Sequence, residues 1–354
     1  MKPGMARCGV ESNLILASVL TLFLLASSPS AIIQQKRPLL IAHRGASGYA
    51  PEHTLASYRL AIHMGADFVE QDLQVTKDGV LVCIHDPDLA RTTNVGDVFP
   101  GRTSIRNPDG EGKGKPGWYA VDFTLDEIKK LDAGSWFNRA NPFAAKPEYA
   151  GARIATLQEV ISDVKDRAGL YIEIKHYEFY KSLGLDVIEK LVSLLDSNGF
   201  KQAGRRDRIF IQSFSKASLV KMREAAPQYA RVQLLPMEDR GRREETLNIT
   251  PALAKEIAGY AQGAGPAKQM IKSAADLETF HAAGLIVHPY TFRGPTTAVS
   301  RKPLGETQAG GSTVRQIILD DIGRYLRFGV DGGFTDYPDL WVEAVNTSAR
   351  MTKK

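Results

Sequence analysis

A chain of 354 residues, 43% of them hydrophobic, is long enough to bury a large core, and its composition shows no disordered or fibrous bias. The formal net charge is only +5, and basic residues are interspersed with acidic ones, which argues against a nucleic-acid-binding protein. The length could hold two domains, but α/β barrels commonly exceed about 250 residues as one domain.

The chain begins with a predicted export signal. Lys2 and Arg7 precede an apolar stretch at 14–26, which has the length of a signal-peptide core and is short for a membrane span. Small residues follow, so we expect residues 1–31 to be cleaved, leaving an exported protein without a stable membrane anchor; an uncleaved anchor is the alternative. Cys83 would be the remaining cysteine of the mature chain, which excludes an intramolecular disulfide.

Strand-like and helix-like segments alternate along the rest of the chain. Apolar or alternating runs predict strands, and apolar residues at helical spacing predict helices. The predicted strands are 39–42, 68–75, 80–84, 170–174, 208–212, 231–235, 285–288 and 333–335. The predicted helices are 54–64, 125–131, 157–166, 185–198, 216–226, 274–283 and 320–328.

Repeated βα units predict a parallel sheet with helices outside it. Polar residues follow several different strands, which favours an α/β fold of the (β/α)8 TIM-barrel type. An open doubly wound sheet is the alternative, with its site at one switch point. The stretch from about 88 to 150 is rich in Gly, Pro and Asn and too long for a simple connection. We therefore predict an insertion after the second barrel strand region, within one domain at 32–354.

Three acidic residues lie in otherwise apolar strands. Glu70 and Asp72 are two positions apart, so they project from the same face of a strand, and Glu173 lies in another apolar run. Carboxylates on one face repel each other unless a cation lies between them, and their oxygens suit Ca²⁺ or Mg²⁺. A solvent-facing acidic pair is the alternative, and the apolar neighbours argue against it.

Two histidines are candidates for proton transfer, because His43 and His85 each follow an apolar strand. A lone histidine there is more often a hydrogen-bonded core residue, but two beside three acids favour a catalytic role. Histidine titrates in the range that suits both an acid and a base. Arg44 and Lys175 offer positive charge for phosphate oxygens. This set is what metal-assisted cleavage of a phosphodiester requires.

The order of these motifs resembles the glycerophosphodiester phosphodiesterase family. The matching segments are residues 43–53 (HRGASGYAPEH), Glu70-Gln71-Asp72, His85-Asp86, Glu173-Ile174-Lys175 and residues 330–339. The resemblance implies a TIM barrel, with His43 and His85 as general acid and base. It implies one divalent cation, which we expect to be Ca²⁺ rather than Mg²⁺, bound by Glu70, Asp72 and Glu173. The residues expected to contact phosphate or substrate are Arg44, Lys175, Glu52, Gln212 and His288.

Finer features are similar to the periplasmic bacterial branch of this family. They are the segments 212–214 and 287–293, and His53 where many members have asparagine. This resemblance implies a periplasmic or secreted enzyme. The implied reaction is metal-dependent hydrolysis of small glycerophosphodiesters, such as glycerophosphocholine or glycerophosphoethanolamine, to sn-glycerol 3-phosphate and an alcohol. For His288, a purely structural role is as well supported as a substrate contact.

Two other functions remain open from the sequence. A phospholipase-type phosphodiesterase would act on membrane lipids, and Trp118, Trp136 and Phe137 could then contact lipid, although the insertion is rich in Gly, Pro and charge. An exported, non-catalytic binding protein would be expected to have lost some of the site residues, and this chain keeps all of them. Neither the preferred head group nor the oligomeric state follows from the sequence.

Overall fold

Alternating strands and helices run through the chain in the order that a barrel requires. The computed structural model describes Met1 and residues 37–351, with gaps at 111, 165, 237–247 and 297–299. The strands are β1 (Leu39–Ala42), β2 (Phe68–Val75), β3 (Leu81–Cys83), β4 (Ser104–Arg106), β5 (Lys115–Gly117), β6 (Gly169–Ile174), β7 (Ile209–Ser213), β8 (Ala230–Leu235), β9 (Gly263–Pro266), β10 (Ile286–Val287) and β11 (Gly332–Thr335). The α-helices are α1 (Leu55–His63), α2 (Val95–Val98), α3 (Leu125–Ile128), α4 (Ser135–Ala140), α5 (Leu157–Val164), α6 (Tyr177–Ser182), α7 (Val187–Ser197), α8 (Lys216–Ala225), α9 (Pro251–Ala258), α10 (Ala274–Ala282), α11 (Val314–Phe328) and α12 (Pro338–Met351).

The parallel strands form a nearly closed barrel. Their order is β10-β9-β8-β7-β6-β2-β1-β11. The two end strands approach each other, because a bridge joins Phe292 to Thr335 and the Phe334 amide donates to the Pro289 carbonyl at 3.1 Å. The predicted TIM-barrel fold is therefore confirmed, and the alternative of an open sheet is wrong.

β3 is the one predicted strand that lies outside this parallel order. It pairs with β2 in antiparallel register, with Cys83 opposite Leu73. Gly79 makes the hairpin turn with φ +83°, which favours glycine. The returning chain brings the Ile84 amide to the Asp72 carbonyl at 3.0 Å. The hairpin thus places His85 beside β2 rather than at the end of a barrel strand.

β9 completes the barrel, although no apolar run predicts it. The segment Gly263–Pro266 contains no branched or aromatic apolar residue. It pairs in parallel with both β8 and β10. A Cβ on Gly263 would lie 2.7 Å from the Ile286 side chain, so neighbouring side chains occupy the space that glycine leaves.

The predicted insertion region has its own hydrophobic packing. Leu89, Phe123 and Ile128 bury their side chains together with Val82 of β3. Thr124 begins α3 with a capping box, in which the Glu127 side chain accepts from the Thr124 amide. The main core lies between the barrel and the surrounding helices.

The predicted export signal lies outside the described residues apart from Met1. In the part of the chain that the structure describes, no helix is both long and apolar enough to cross a membrane.

Candidate active site

A tight turn after β1 presents His43 and Arg44 at the carboxyl end of the barrel. Arg44 has φ +57° and Gly45 has φ +85°. A Cβ on Gly45 would lie 2.4 Å from the Ser57 hydroxyl oxygen, so only glycine fits here. The Arg44 amide donates to Glu70 Oε2 at 2.7 Å, which fixes the turn to β2.

Strand register brings the acidic residues together. Asp72 of β2 is paired with Glu173 of β6, and Glu173 is paired with Gln212 of β7. Glu70 lies two residues before Asp72 and shares its face of β2. Gln212 Nε2 lies 3.5 Å from Glu70 Oε1. The three predicted metal ligands and Gln212 therefore converge from three neighbouring strands.

Arg44 and Lys175 lie among these acids. Lys175 Nζ is 3.1 Å from Glu173 Oε1 and 3.5 Å from Asp72 Oδ1. Arg44 Nε is 3.4 Å from Asp72 Oδ2. Burial acts to lower the pKa of Lys175, but Asp72 and Glu173 outweigh burial and raise it. Lys175 therefore stays an ammonium ion at neutral pH.

When all three acids are ionised, they carry more negative charge than Arg44 and Lys175 neutralise. Burial raises the pKa of Glu70 well above its ordinary value, and repulsion from Asp72 adds to this shift. Burial also raises the pKa of Glu173, to about 8, although Lys175 opposes the shift. Asp72 differs, because Lys175 and the neighbouring histidines outweigh its burial and hold its pKa well below the ordinary value. A further cation would relieve the remaining repulsion.

The donor set suits a hard divalent cation. One oxygen each from Glu70 and Asp72 and one ring nitrogen of His53 lie within 4.8 Å of one another, and all three residues are buried. The buried Gln212 Oε1 nearby has no hydrogen-bond partner among the described residues. Carboxylate and carboxamide oxygens are the ligands that Ca²⁺ and Mg²⁺ prefer. The residues present therefore fit the expected metal.

His53 joins this group although its sequence context gives no sign of metal binding. Its backbone has φ +58° in the loop before α1. Its Nδ1 lies 2.8 Å from the Tyr58 hydroxyl, and its Nε2 lies 2.8 Å from Asp72 Oδ2. The position of His53 beside Asp72 could not be predicted from local sequence, because it depends on how the loop packs against β2.

Both candidate catalytic histidines are held by a carboxylate at Nδ1. His43 Nδ1 lies 2.7 Å from Asp336 Oδ1, and His85 Nδ1 lies 2.5 Å from Asp86 Oδ1. A bond at Nδ1 leaves Nε2 available for proton transfer. Burial, with Arg44 adding to it, lowers the pKa of His43 to about 4 and that of His85 to about 3. Both rings are therefore neutral near pH 7.

Two further arginines support these carboxylates. Arg91 donates to Glu52 Oε1 at 2.7 Å and also to Asp86. Arg301 forms an ion pair with Asp336 at 3.1 Å. The carboxylate of Glu52, which we expected to contact substrate, accepts from both Arg91 and Arg44 and orients them. No periodic pattern marks Arg91 or Arg301 in the sequence, because both lie outside the barrel strands.

His288 lies inside the barrel, below the site. It is 1% exposed, and its Nδ1 lies 3.0 Å from the Tyr171 hydroxyl. Its ring packs edge-on against Phe210. The described side chains that line the cavity do not include His288. Of the two roles that we considered from the sequence, this geometry favours the structural one.

The predicted site residues other than His288 border a cavity of about 590 Å³. Phe214, Leu234, Tyr290 and Phe334 give it an apolar wall. Such a volume suits a small molecule. The aromatic residues that could have contacted lipid are elsewhere: Trp136 and Phe137 are buried against each other in the insertion region, and Trp118 donates its indole N–H to the Phe99 carbonyl.

Fold and site together are those of a barrel hydrolase that acts on phosphate esters. Residues 43–340 match the sequence profile of the glycerophosphoryl diester phosphodiesterase family, and the chain belongs to that family. A Bacillus subtilis glycerophosphodiester phosphodiesterase is 38% identical over 319 residues, covering 89% of each chain. A Haemophilus influenzae protein of the same name is 30% identical, covering 94% of this chain and 96% of its own.

A solved structure extends the likeness to the fold. An Oleispira antarctica phosphodiesterase, determined in complex with the product sn-glycerol-3-phosphate, superposes with a TM-score of 0.62 and 26% identity. The superposition covers 88% of this chain and 97% of that one. The family resemblance expected from the sequence is confirmed, whereas the periplasmic branch stays a prediction.

Proposed function

We propose that the protein hydrolyses small glycerophosphodiesters, such as glycerophosphocholine or glycerophosphoethanolamine, to sn-glycerol 3-phosphate and a free alcohol. One divalent cation takes part, Ca²⁺ in preference to Mg²⁺. The observation that carries this proposal is the convergence of three carboxylates and two cations between two carboxylate-bound histidines in one cavity. The relative solved with sn-glycerol-3-phosphate supports the product.

The phosphate is held by charges that are already in place. Glu70 and Asp72, together with Glu173 on the neighbouring strand, would hold the cation, and His53 and Gln212 would be additional donors beside it. When bound, a divalent cation supplies positive charge to the non-bridging phosphate oxygens. Arg44 and Lys175 contact the same oxygens, where negative charge increases in the transition state. Ion pairs with buried acids hold the Arg44 and Lys175 side chains in position before substrate enters.

His43 and His85 transfer the protons. A neutral imidazole accepts the proton of the nucleophile, and the second ring donates a proton to the leaving alkoxide. The negative charge of the bound phosphodiester favours the protonated form that this second ring needs. The glycerol hydroxyl next to the ester is a candidate nucleophile. Its attack on phosphorus expels the alkoxide and gives a cyclic phosphate, which water then opens.

The first experiment asks whether the protein prefers a soluble substrate to a membrane lipid. We expect turnover of glycerophosphocholine to exceed that of phosphatidylcholine vesicles by more than about 100-fold, because removing acyl chains from a bilayer costs about 0.8 kcal/mol per methylene. Choline release from both substrates, measured with the same purified protein, makes the comparison. Equal turnover would instead favour the phospholipase alternative, and binding without turnover of either would favour the non-catalytic one.

We also propose that the chain is exported to the periplasm or beyond. The mature protein should begin near Ile32, after a small-residue cleavage site. Intact mass and N-terminal sequencing of protein from the soluble periplasmic fraction would measure this. An intact Met1 terminus in washed membranes would contradict it and support the uncleaved anchor.

A further inference from the structure

A buried series of polar contacts leads from Arg301 to His43. Arg301 Nη2 lies 3.1 Å from Asp336 Oδ2, and Asp336 Oδ1 lies 2.7 Å from His43 Nδ1. Arg301 also donates from Nη1 to the Thr296 hydroxyl at 3.1 Å. Arg301 is 8% exposed and Asp336 is 0% exposed. Charges in such a place are weakly screened, so their effect on His43 is strong.

The insertion region supports the far end of this series. Asn141 follows α4 and is 0% exposed. Its Oδ1 accepts the Arg301 amide at 2.6 Å, across 160 residues of sequence. Its own amide donates to the Phe137 carbonyl at 2.8 Å, and its Nδ2 donates to the same carbonyl at 3.1 Å. The backbone of Arg301 is thus attached to the folded insertion rather than to a barrel strand.

We infer that Arg301 is a positioning residue for His43, and that Asn141 keeps Arg301 in place beside Asp336. This inference rests on the proposed function, in which His43 transfers a proton. It gives the insertion a part in catalysis, because the insertion fixes the ion pair that orients the imidazole.

The charges around His43 fix the direction of the effect. Among the described residues, the charged groups that act on it are Asp336, Arg44 and Arg293, and Arg301 contacts the other carboxylate oxygen of Asp336. Burial and Arg44 lower the pKa of His43, while Asp336 opposes them. Arg301 offsets part of the negative charge of Asp336. Without Arg301, that charge would act on His43 alone, so the pKa of His43 would rise.

This direction does not depend on which proton His43 transfers. If His43 is the base, the acidic limb of the pH–rate profile moves to higher pH. If His43 is the acid, the basic limb moves to higher pH. The profile therefore distinguishes a positioning role from direct substrate binding, which is the rival role because Arg301 also borders the cavity.

The experiment compares Arg301→Gln with the unchanged protein and with Arg301→Lys. We expect Arg301→Gln to lower kcat by about 10-fold or more with little change in KM, because the orientation of a general acid or base is lost. One limb of the pH–rate profile should move to higher pH, by about half a pH unit to one pH unit. Arg301→Lys keeps the charge and should recover part of both effects. Arg59→Gln breaks an exposed ion pair with Asp163 and serves as the matched control, with no expected change.

Asn141→Ala tests the same inference without touching the charges. It should give a smaller shift of the same limb, with a circular dichroism spectrum like that of the unchanged protein. If Arg301→Gln does not fold, the pH–rate profiles of Arg301→Lys and Asn141→Ala test the positioning role instead. An unmoved profile in these variants, or a raised KM with normal kcat, would overturn the inference. Absence of turnover in the unchanged protein would overturn the proposed function instead.

Discussion

Replacing His43 or His85 by alanine is expected to lower kcat by about 10²–10⁴-fold, the usual contribution of a positioned acid or base. Neither ring belongs to the carboxylate cluster, so metal binding should remain largely intact. Steady-state kinetics with glycerophosphocholine measure the loss. His63→Ala removes an exposed histidine of α1 and provides the matched control. Near-normal turnover in either site variant would show that the two-histidine mechanism is wrong.

The two histidines can be assigned by varying the leaving group. An aryl leaving group departs without protonation, so the variant that lacks the general acid should recover most of its activity with an aryl glycerophosphodiester. The variant that lacks the general base should not recover. If neither variant is rescued, proton donation to the leaving group is not the role of either residue.

The second large loss of activity is expected when any one of the proposed metal-binding acids is replaced. Alanine at Glu70, Asp72 or Glu173 should lower activity by more than about 100-fold at ordinary metal concentrations, because metal ions supply several kcal/mol of transition-state stabilisation. Activity measured over a metal titration tests this. Normal activity in all three variants at low metal concentration would contradict the proposed ligand set.

Thermal unfolding in the presence of a chelator should show opposite contributions of Glu70 and Asp72 to stability. The pKa of Glu70 is raised on folding, so ionised Glu70 lowers stability as pH rises past its ordinary 4.5. Glu70→Gln should therefore leave Tm unchanged or higher at pH 7. The pKa of Asp72 is lowered on folding, so its charge stabilises the protein above pH 3.8. Asp72→Asn should lower Tm, because it removes the Asp72 charge that pairs with Lys175 and Arg44 and leaves these cations only Glu173 and Glu52 as partners among the described residues. Equal shifts of Tm in the two variants would contradict these charges.

Much of the site was predictable because the carboxyl ends of parallel strands meet at one end of a barrel. His43, Glu70, Asp72 and Glu173 each lie in or after an apolar run, and the register of β2 and β6 brings the acids together. His85 was also predictable as a site residue. The sequence did not predict that His85 follows an antiparallel hairpin strand rather than a strand of the barrel.

The supporting ion pairs were not predictable from local pattern. Arg301 lies 35 residues before its partner Asp336, and Asn141 lies 160 residues before Arg301. No spacing rule connects residues at such separations, because loops of the folded chain determine their contacts. The strand β9 escaped prediction for a similar reason: its glycines become a strand through pairing with β8 and β10 rather than through apolar side chains.

The release of sn-glycerol 3-phosphate from glycerophosphocholine by the purified mature protein is the most direct measurement. The product is quantified before chelation, after exhaustive chelation, and after Ca²⁺ or Mg²⁺ is added back, with metal content checked by elemental analysis. We predict that release stops on chelation and returns on metal addition, with Ca²⁺ more effective than Mg²⁺. Full release from protein shown to be metal-free would contradict a site built on Glu70, Asp72 and Glu173.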